Sequence, residues 1–453
     1  MKMILKRDGR RTKFDEEKII IAIKKAFEET ENETYNEYAE AKAKNIASYI
    51  KDVVNNSDKM LDVEAIQDLV EKGLMSCKKK NVAKQYILYR DERNRARNIN
   101  SEFNRIIGEK LTASNVQNQN ANVDEHSFGG RVGEASNELT SRYALDNLLS
   151  PTTRKNHLEN MVYVHDLSSY ACGNHNCLTI PFDDLLANGF NTRQTDVRPA
   201  NSINTALQLV AVIFQIQSLQ QFGGCSASHL DWTLVPYVRK SFTKHLGDGL
   251  IYIEHKSEYK AQRFYKWLEN DKENHPDGTI HFDDEEFKNL HPNAWEYAID
   301  MTTRETYQAV EGMFHNLNTL QSRSGNQLPF TSINYGTCTL AEGRLVIKAI
   351  LDTSIKGIGK LHRTSIFPCQ IFQCMRGVNR KEGDPNYDLY RLALESTSKR
   401  LYPNYANVDW SVNEGYDKNN LLTYVSTMGK CKLAHVKPCE PRLVGVLYVR
   451  ANG

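Results

Sequence analysis

The segment LPFTSINYGT, residues 328–337, is a short apolar run between two stretches with helical periodicity. Three further apolar runs have the same character: CLTIPF (177–182), IFPCQIFQ (366–373) and LTYVST (422–427). Helices are expected around them at about 137–149, 202–221, 230–246, 295–316, 342–354 and 387–400. Strands buried on both faces that alternate with helices indicate an α/β architecture. The sequence therefore predicts an α/β fold, with a barrel among the options.

The first 95 residues or so carry a different pattern. In MILKRDGRRTKF (3–14), Asp8-Gly9 separates two short extended runs, and Asp-Gly is a strong signal for a two-residue hairpin turn. A helix is expected from about Asp15, which can cap it. Further helices are expected at roughly 36–54, 63–77 and 81–107. This region is predicted to be a β-hairpin with a small helical bundle.

Charge and cysteine content narrow the class of protein. A net charge of +2 argues against a dedicated nucleic-acid coat, so no nucleic-acid partner is expected. Nine cysteines spread over 453 residues form no disulfide framework. Residues 199–230 carry no charged side chain, but only about 206–216 is apolar, which is too short to cross a bilayer. We expect a buried helix there, no membrane partner, and a cytoplasmic protein with reduced thiols.

The segment 256–300 is dense in Lys, Glu, Asp and His and is predicted to be a solvated surface excursion.

The chain has no GxxxxGK[ST], GxGxxG, HExxH or GxSxG motif, so phosphate binding would have to come from another kind of site. The hairpin is a candidate because the N-terminus of the next helix suits an anion, although composition alone favours a solvated basic face. Its cations are Lys6, Arg7, Arg10, Arg11 and Lys13.

The spacing of these residues adds a resemblance. LKRDGRRTKFDEEKIIIAIKKAF (5–27) resembles the start of an ATP-cone, the regulatory nucleotide-binding module of many ribonucleotide reductases. DVEAIQDLVEKGL (62–74) and VAKQYILYRDERNRAR (82–97) resemble its closing helices. The match covers residues 1–97 and implies ATP and dATP as allosteric effectors. By position it implies these nucleotide-binding residues: Lys6, Arg7, Gly9, Thr12 and Lys18.

A second resemblance covers about residues 98–429. NANVDEHSFGGRVGEAS (120–136), SGNQLPFTSINYGTCT (324–339) and GDPNYDLYRLALESTSKRLYP (383–403) are similar to the large subunit of anaerobic, class III ribonucleoside-triphosphate reductases. The resemblance implies an incomplete ten-stranded α/β barrel of the glycyl-radical and ribonucleotide reductase type. It also implies reduction of ribonucleoside triphosphates with formate, a homodimer with a further effector site, and a radical-SAM activating enzyme.

Radical chemistry explains why such a family needs buried thiols. Removing the ribose 2′-OH begins with loss of the 3′-hydrogen, which a thiyl radical can abstract, and a second thiol can donate hydrogen as water leaves. The radical must be held close to the sugar and away from water. Cys177, in NHNCL, matches the second cysteine, although a lone buried cysteine is more often a packing residue. Five further cysteines are interpreted as core residues, with Cys338 possible in the barrel lining: Cys172, Cys225, Cys338, Cys369 and Cys374. His165 and His175 are interpreted as structural.

The end of the chain departs from the family pattern. YVSTMG (424–429) resembles the strand before the thiyl cysteine, but Lys430 follows and the cysteine comes at Cys431. A slip of one residue moves the sulfur by more than ~3 Å. Cys431 is therefore interpreted as a displaced candidate for the thiyl cysteine. The sequence signal for a zinc site formed by Cys431 and Cys439 is weak, because no second cysteine pair follows. A disulfide between them is disfavoured in the cytosol.

No resemblance is found from Lys430 onward. The residues of the family's glycyl radical and four-cysteine zinc site are not found either, so no metal ligands are assigned. We expect a chain that is truncated or frameshifted after Gly429, with a cone at 1–97, part of the barrel at 98–429 and a divergent basic tail at 430–453. The alternative is a catalytically incompetent fragment, or a nucleotide-binding regulatory subunit that needs a second polypeptide for the glycyl-radical half.

Overall fold

The computed structural model describes residues 2–6, 10–30, 36–57, 59–112, 127–165, 167–172, 177–192, 194–220, 223–256, 263–323, 326–410 and 415–423. The chain divides into two compact units, with the boundary between Glu109 and Lys110. Within the described residues, the first unit combines a hairpin with helices, and the second unit has helices around a parallel sheet.

The first unit begins with an antiparallel hairpin of β1 (Met3–Leu5) and β2 (Arg11–Lys13). Its helices are α1 (Glu16–Glu28), α2 (Glu37–Asn56), α3 (Val63–Met75) and α4 (Lys80–Thr112). The Asp15 carboxylate caps α1 by accepting a hydrogen bond from the Glu17 N–H at 3.1 Å. The predicted strands, helices and cap are therefore confirmed, whereas the Asp8-Gly9 turn lies outside the described residues.

The apolar faces of these helices form the core of the first unit. Ile23 and Phe27 on α1 are fully buried, as is Ile50 on α2. Val70 and Leu74, four residues apart on one face of α3, are buried in the same cluster. Helices that bury one stripe in this way are held by tertiary packing more than by intrinsic propensity.

The helices of the second unit alternate with its strands. The helices are α5 (Phe128–Tyr143), α6 (Pro151–Leu158), α7 (Leu167–Tyr170), α8 (Phe182–Asn188), α9 (Ile203–Ser218), α10 (Leu230–Thr233), α11 (Val235–Tyr252), α12 (Arg263–Asn270), α13 (Glu285–Leu290), α14 (Pro292–Thr319), α15 (Ala341–Lys356) and α16 (Tyr387–Arg400). The strands are β3 (Leu178–Thr179), β4 (Phe190–Asn191), β5 (Asp196–Val197), β6 (Cys225–Ala227), β7 (Thr331–Tyr335), β8 (Cys369–Cys374) and β9 (Asn404–Asn407). A π-helical turn, Ala144–Leu148, continues α5, and Leu421–Thr423 is a 3₁₀ turn.

Five of these strands form one parallel sheet in the order β3-β6-β7-β8-β9, while β4 and β5 form a separate antiparallel pair. The register places Leu178 opposite Cys225, Cys225 opposite Thr331, and Ser332 opposite Cys369. Parallel neighbours require crossover connections, and the helices between the strands provide them. The predicted α/β class is confirmed, and a parallel sheet in chain order fits a barrel.

The strands differ from the predictions in length and number. The predicted runs at 328–337 and 366–373 contain β7 and β8, but only two residues of 177–182 form a strand. β6 and β9 were not predicted because their sequences, CSA and NYAN, lack an apolar run. Their conformation depends on pairing with neighbours, which local sequence does not encode. Of the predicted strand at 422–427, residues 424–427 lie outside the described residues.

One face of the sheet packs on the main core. α9 is buried along most of its length and carries Val210 and Phe214, so the prediction of a buried helix rather than a membrane span is confirmed. α14 and α15 contribute to the same cluster, as do Ile333 and Phe372 from the sheet. The sheet thus has one face committed to hydrophobic packing.

The segment predicted as a solvated excursion has a core of its own. Phe264, Phe287 and Trp295 are buried against Phe242 and Leu246 of α11. The rings of Phe242 and Trp295 lie 4.9 Å apart at their centroids, in an edge-on arrangement. The prediction for 256–300 is therefore wrong for Phe264, Phe287 and Trp295, because the high charge density obscures apolar positions that are far apart in sequence.

Candidate functional site

The hairpin of the first unit carries two of the predicted nucleotide-binding residues. Lys6 is exposed, and its backbone N–H donates to the carbonyl of Arg10 at 2.8 Å. Thr12 is half-buried on β2. Arg7 and Gly9, which belong to the predicted turn, lie outside the described residues. The structure therefore holds Lys6 and Thr12 on the same small hairpin.

A cleft between α1, α3 and α4 contains the fifth predicted residue, Lys18. Lys25 and Arg93 add positive charge to the same cleft, and the ring of Tyr89 is 45% exposed at its wall. Cations beside an aromatic ring suit a ligand that combines phosphate with a base, because the phosphate pairs with the cations and the base can stack. The described hairpin residues do not line this cleft, so the predicted residues occupy two places.

Arg90, on α4, also lines this cleft. Its guanidinium donates to the carboxylates of Glu64, Asp68 and Glu71 on α3, at 2.6, 2.7 and 2.8 Å. Burial disfavours its charge, but the three carboxylates raise the pKa of Arg90 above its ordinary value. Sequence reasoning missed this network, although carboxylates spaced four and three residues apart on one helix face were a usable signal.

In the second unit, the face of the sheet opposite the main core carries several buried polar side chains beside Ile371. Side chains alternate along a strand and paired residues share a face, so Ser226, Ser332, Asn334 and Gln373 all lie on that face. Each of them is at most 2% exposed. The amides of Asn334 and Gln373 donate to backbone carbonyls at the end of β6, at 2.8 and 3.0 Å. The sheet thus presents a wall of fixed hydrogen-bonding groups.

Cys177 lies at the amino edge of this sheet, one residue before β3, and is a half-buried free thiol. Leu178 packs against the main core, so alternation directs Cys177 to the polar face. Its neighbour Cys225 is fully buried. Burial raises the pKa of Cys225 to about 12; Ser218 and Arg323 oppose the rise, and Cys177 adds to it. Of these two thiols, Cys177 is therefore the one that a ligand can reach.

Arg323 is a buried cation at the same edge, with 6% of its surface exposed. Its guanidinium carbon lies 3.9 Å from the centroid of the Phe330 ring, and Nη1 donates to Gln327 Oε1 at 3.0 Å. The carbonyl of Phe330 accepts a hydrogen bond from the Cys225 N–H at 2.8 Å. Sequence reasoning did not single out Arg323, because only the structure shows that it is buried and that its charge acts on the Cys225 thiol.

At the carboxyl edge, buried polar groups fix the turn that follows β7. Asp231 Oδ2 accepts hydrogen bonds from the N–H groups of Gly336, Thr337 and Cys338 at 2.8, 3.0 and 2.9 Å. The Asn379 amide donates to the Gly336 carbonyl at 2.9 Å. Full burial raises the pKa of Asp231, and the backbone hydrogen bonds oppose that rise. Ligand sites in parallel α/β sheets commonly lie at this edge, so its rigidity matters for the site.

The remaining cysteines divide by burial. Cys225 and Cys338 are core residues as expected, and Cys338 packs in the main core rather than lining a barrel. Cys369 and Cys374 are half-buried. The core assignment of Cys172 is wrong, because Cys172 lies exposed in the turn after α7.

Of the four remaining positions singled out in the sequence, only His165 lies within the described residues. His165 is exposed and meets the ring of Tyr163 edge-on, with centroids 6.1 Å apart. His175, Cys431 and Cys439 lie outside the described residues. Within the described ranges, no three His, Cys, Asp or Glu side chains are grouped so that they could hold a metal ion.

None of the helices in the described segments combines the length with the apolar character that a membrane crossing requires.

Comparison with known proteins places this geometry in a family. Residues 119–437 match the family model described as anaerobic ribonucleoside-triphosphate reductase, and residues 2–95 match the ATP cone domain. The first match continues eight residues beyond Gly429, the point where the resemblance was expected to stop.

The anaerobic ribonucleoside-triphosphate reductase of Haemophilus influenzae is 30% identical over 410 residues, covering 90% of this chain and 52% of that protein. The Escherichia coli protein of the same name is 30% identical over 409 residues, with 90% and 51% covered. A crystal structure of the Thermotoga maritima anaerobic ribonucleotide reductase in complex with dATP and CTP matches with a TM-score of 0.43 at 14% identity, covering 68% of this chain and 48% of that one. The chain spans about half the length of the curated relatives it matches. Because the family model matches most of its residues, the chain belongs to the anaerobic ribonucleoside-triphosphate reductase family.

Proposed function

We propose that this chain supplies the effector-binding module and part of the catalytic barrel of an enzyme that reduces ribonucleoside triphosphates to 2′-deoxyribonucleoside triphosphates by thiyl and glycyl radical chemistry. The observation that carries the proposal is the position of Cys177, a reachable thiol at the edge of a buried polar sheet face, within the family match. Its role would be to donate hydrogen as the 2′-hydroxyl leaves as water. A thiol in that role must be held rigidly and shielded from solvent, and a half-buried strand edge suits both needs.

The polar face supports the same proposal. Ribose and phosphate need fixed hydrogen-bonding partners, and buried amides and hydroxyls that cannot rotate freely discriminate between ligands better than mobile ones. Asn334 and Gln373 are held by backbone carbonyls and so are pre-positioned. In the full enzyme this face would line the interior of a ten-stranded barrel.

The cone would bind ATP and dATP as allosteric effectors. Lys6, Arg7, Gly9, Thr12 and Lys18 remain the proposed contacts, with Lys18 in the cleft of α1, α3 and α4. Isothermal titration calorimetry tests this directly, and we expect micromolar binding of both nucleotides. The variant Lys18→Glu should weaken binding at least about tenfold, because one favourable charge contact becomes repulsive. An unchanged affinity would remove Lys18 from the site.

Other parts of the reaction are proposed for the complete enzyme. Formate would be the reductant, a radical-SAM enzyme would install the glycyl radical, and the assembly would be a cytoplasmic homodimer. The glycyl radical and the zinc site would belong to the half of the relatives that this chain does not span. We propose a cone at 1–97, barrel sequence at 98–429 and a tail at 430–453, with Cys431 as the displaced thiyl cysteine.

The chain spans about half the length of the curated relatives it matches. A competing proposal is that it is a catalytically incompetent fragment or a nucleotide-binding regulatory subunit, active only with a second polypeptide. The two proposals share effector binding but differ in turnover. Nucleotide titration therefore cannot separate them, and a reconstitution assay can.

The decisive experiment is anaerobic reconstitution with CTP, formate, an activating enzyme and a polypeptide that provides the uncovered half of the relatives. We expect dCTP from this mixture and none from the 453-residue chain alone. Cys177→Ser should abolish product, whereas Cys172→Ser, at an exposed position, should not. Full activity of Cys177→Ser would refute the proposed chemistry, and absence of product from every mixture would favour the regulatory or fragment role.

A further inference from the structure

The outward face of α5 carries a line of exposed apolar side chains, hereafter the α5 stripe. The exposed fractions are 79% for Phe128, 42% for Val132, 55% for Leu139 and 54% for Tyr143. At about 3.6 residues per turn, these four positions lie within about 60° of one another around the helix axis. Exposed apolar side chains that are scattered singly need no explanation, whereas a contiguous line of them marks an interaction surface.

The inward face of α5 is polar, which is the reverse of an ordinary surface helix. Glu134 is 7% exposed, and its Oε2 accepts a hydrogen bond from Lys110 Nζ at 3.1 Å. The Asn137 amide donates to Glu134 Oε1 at 3.4 Å. At the start of the helix, the Asn326 amide donates to the Ser127 hydroxyl at 2.9 Å. These contacts fix which face of α5 points inward, so the α5 stripe is held toward the outside.

The α5 stripe is symmetric about its own midpoint. Its successive members are four, seven and four residues apart, so reversing the direction of the helix leaves the pattern unchanged. A second α5 that runs antiparallel would therefore place Phe128 opposite Tyr143, and Val132 opposite Leu139. Paired helices bury an apolar seam of this kind between them. The pattern thus fits a second copy of the same helix, because each apolar side chain meets an apolar partner.

The residues between the apolar positions are compatible with such a pair. Ala135 and Ser136 flank the midpoint, and both are small, so the two helices can approach closely there. Antiparallel pairing places each charged residue beside the stripe opposite an uncharged one: Arg131 with Thr140, Glu138 with Gly133, and Arg142 with Gly129. A parallel pair in register would instead place each charge opposite its own copy. Electrostatics therefore favours the antiparallel arrangement.

We propose that α5 pairs with α5 of a second copy of this chain, antiparallel about a two-fold axis between Ala135 and Ser136. The inference rests on the proposed function for the homodimer and adds the surface through which the two copies meet. A two-fold contact uses the same patch on both subunits, which a symmetric stripe permits. α5 has 16 residues, fewer than the ~20–30 per partner of a standard interface. The dimer should therefore dissociate on dilution.

Sedimentation velocity of the full chain tests the pairing. Between about 1 and 100 μM, the native chain should shift from monomer toward dimer. Leu139→Glu should raise the dissociation constant of the dimer at least about 100-fold, because the two-fold axis repeats the buried charge on both copies. Leu361→Glu makes the same change at a residue that is 72% exposed and lies outside α5, and it should leave the dissociation constant unchanged. Circular dichroism verifies that each variant folds.

A cysteine beside the axis tests the geometry independently of any loss of stability. Ser136→Cys should form a disulfide-linked dimer under mild oxidation, because Ser136 is exposed and meets its own copy across the axis. The background is Cys172→Ser, which removes the exposed native thiol of the described residues. Ser398→Cys in the same background, at an exposed position on α16, is the matched control and should remain monomeric.

Three results would overturn the inference. The first is a native chain that stays monomeric at about 100 μM, which leaves the α5 stripe to a different partner. The second is a dimer that Leu139→Glu does not weaken, because the copies then meet elsewhere and the proposed homodimer still stands. The third is a dimer that Leu139→Glu weakens but Ser136→Cys does not cross-link, which removes the two-fold axis. None of them bears on the radical chemistry, which the reconstitution assay measures separately.

Discussion

Asp231 offers a sharp test of how the carboxyl edge of the sheet is held. One oxygen of this fully buried carboxylate accepts three hydrogen bonds, from the backbone N–H groups of residues 336–338. Its other oxygen, Oδ1, is buried and has no hydrogen-bond partner among the described residues. The carboxylate therefore acts on the turn mainly through Oδ2, and Asp231→Ala removes all three acceptor contacts at once.

The size of the effect follows from those three bonds. A buried N–H that loses its partner costs about 1–3 kcal/mol. The three groups share one acceptor and the turn can relax, so we take the low end for each and expect a loss of about 3 kcal/mol in local stability. At 1.4 kcal/mol per factor of ten, the turn should open about 100-fold more often.

Hydrogen exchange measured by mass spectrometry reads that opening directly. Peptides that contain residues 336–338 should exchange about 100-fold faster in Asp231→Ala. Asp231→Asn keeps a carbonyl acceptor and should show an increase of less than about tenfold. Asp300→Ala, at a position whose side chain is 67% exposed, is the matched control and should not change these peptides. Native exchange rates in a folded Asp231→Ala chain would refute the view that this carboxylate holds the turn.

Three further predictions follow from contacts of the described residues. Arg90→Met leaves three carboxylates without their shared cation and should cost the first unit about 2 kcal/mol, which scanning calorimetry would show as a melting transition lowered by roughly 8–16 °C. Burial raises the pKa of Glu305, but the hydrogen bond and charge of His245 outweigh it and hold that pKa below 4.5. The stability contributed by ionised Glu305 is therefore present above about pH 4.5, and it is lost as pH falls through the lower pKa that Glu305 has in the folded state. Glu305→Gln should consequently show a smaller fall of melting temperature between about pH 5 and pH 3 than the native chain. Gly343→Ala would place a Cβ 2.7 Å from the Cys338 Cβ and closer still to its sulfur, and should cost about 1–3 kcal/mol in urea unfolding. A steep acid profile in Glu305→Gln, or native stability in either of the other variants, would contradict the corresponding contact.

The sequence predicted helices more reliably than strands, for a physical reason. α16 coincides with the predicted range 387–400 at both ends, and α9 and α15 agree within a few residues. Their apolar residues recur at helical spacing over four turns or so, which gives a local signal. β6 and β9 have three and four residues and no apolar run, so only their parallel neighbours make them strands.

The residues of the candidate site also fall into two groups: those that the sequence predicted and those that only the structure revealed. Cys177 was predicted because a motif surrounds it, and Lys18 because the cone has a characteristic spacing. Arg323 and Asp231 were missed because their importance depends on burial and on partners that are far apart in sequence; Asp231 meets residues 105–107 positions away. A charged residue looks the same in sequence whether it is solvated or enclosed.

The two faces of the parallel sheet suggest what the fold was selected to do. Strands of a parallel sheet covered on both sides usually read as continuous apolar runs. β7 reads TSINY, and all five residues are buried, yet Ser332 and Asn334 alternate with apolar neighbours. Burying such groups lowers stability unless each is hydrogen-bonded, so packing alone would favour valine or isoleucine at these positions. The buried polar residues on this face, which it shares with Ile371, are therefore better explained by a ligand that needs them than by the stability of the sheet, and Cys177 lies at the edge of that face.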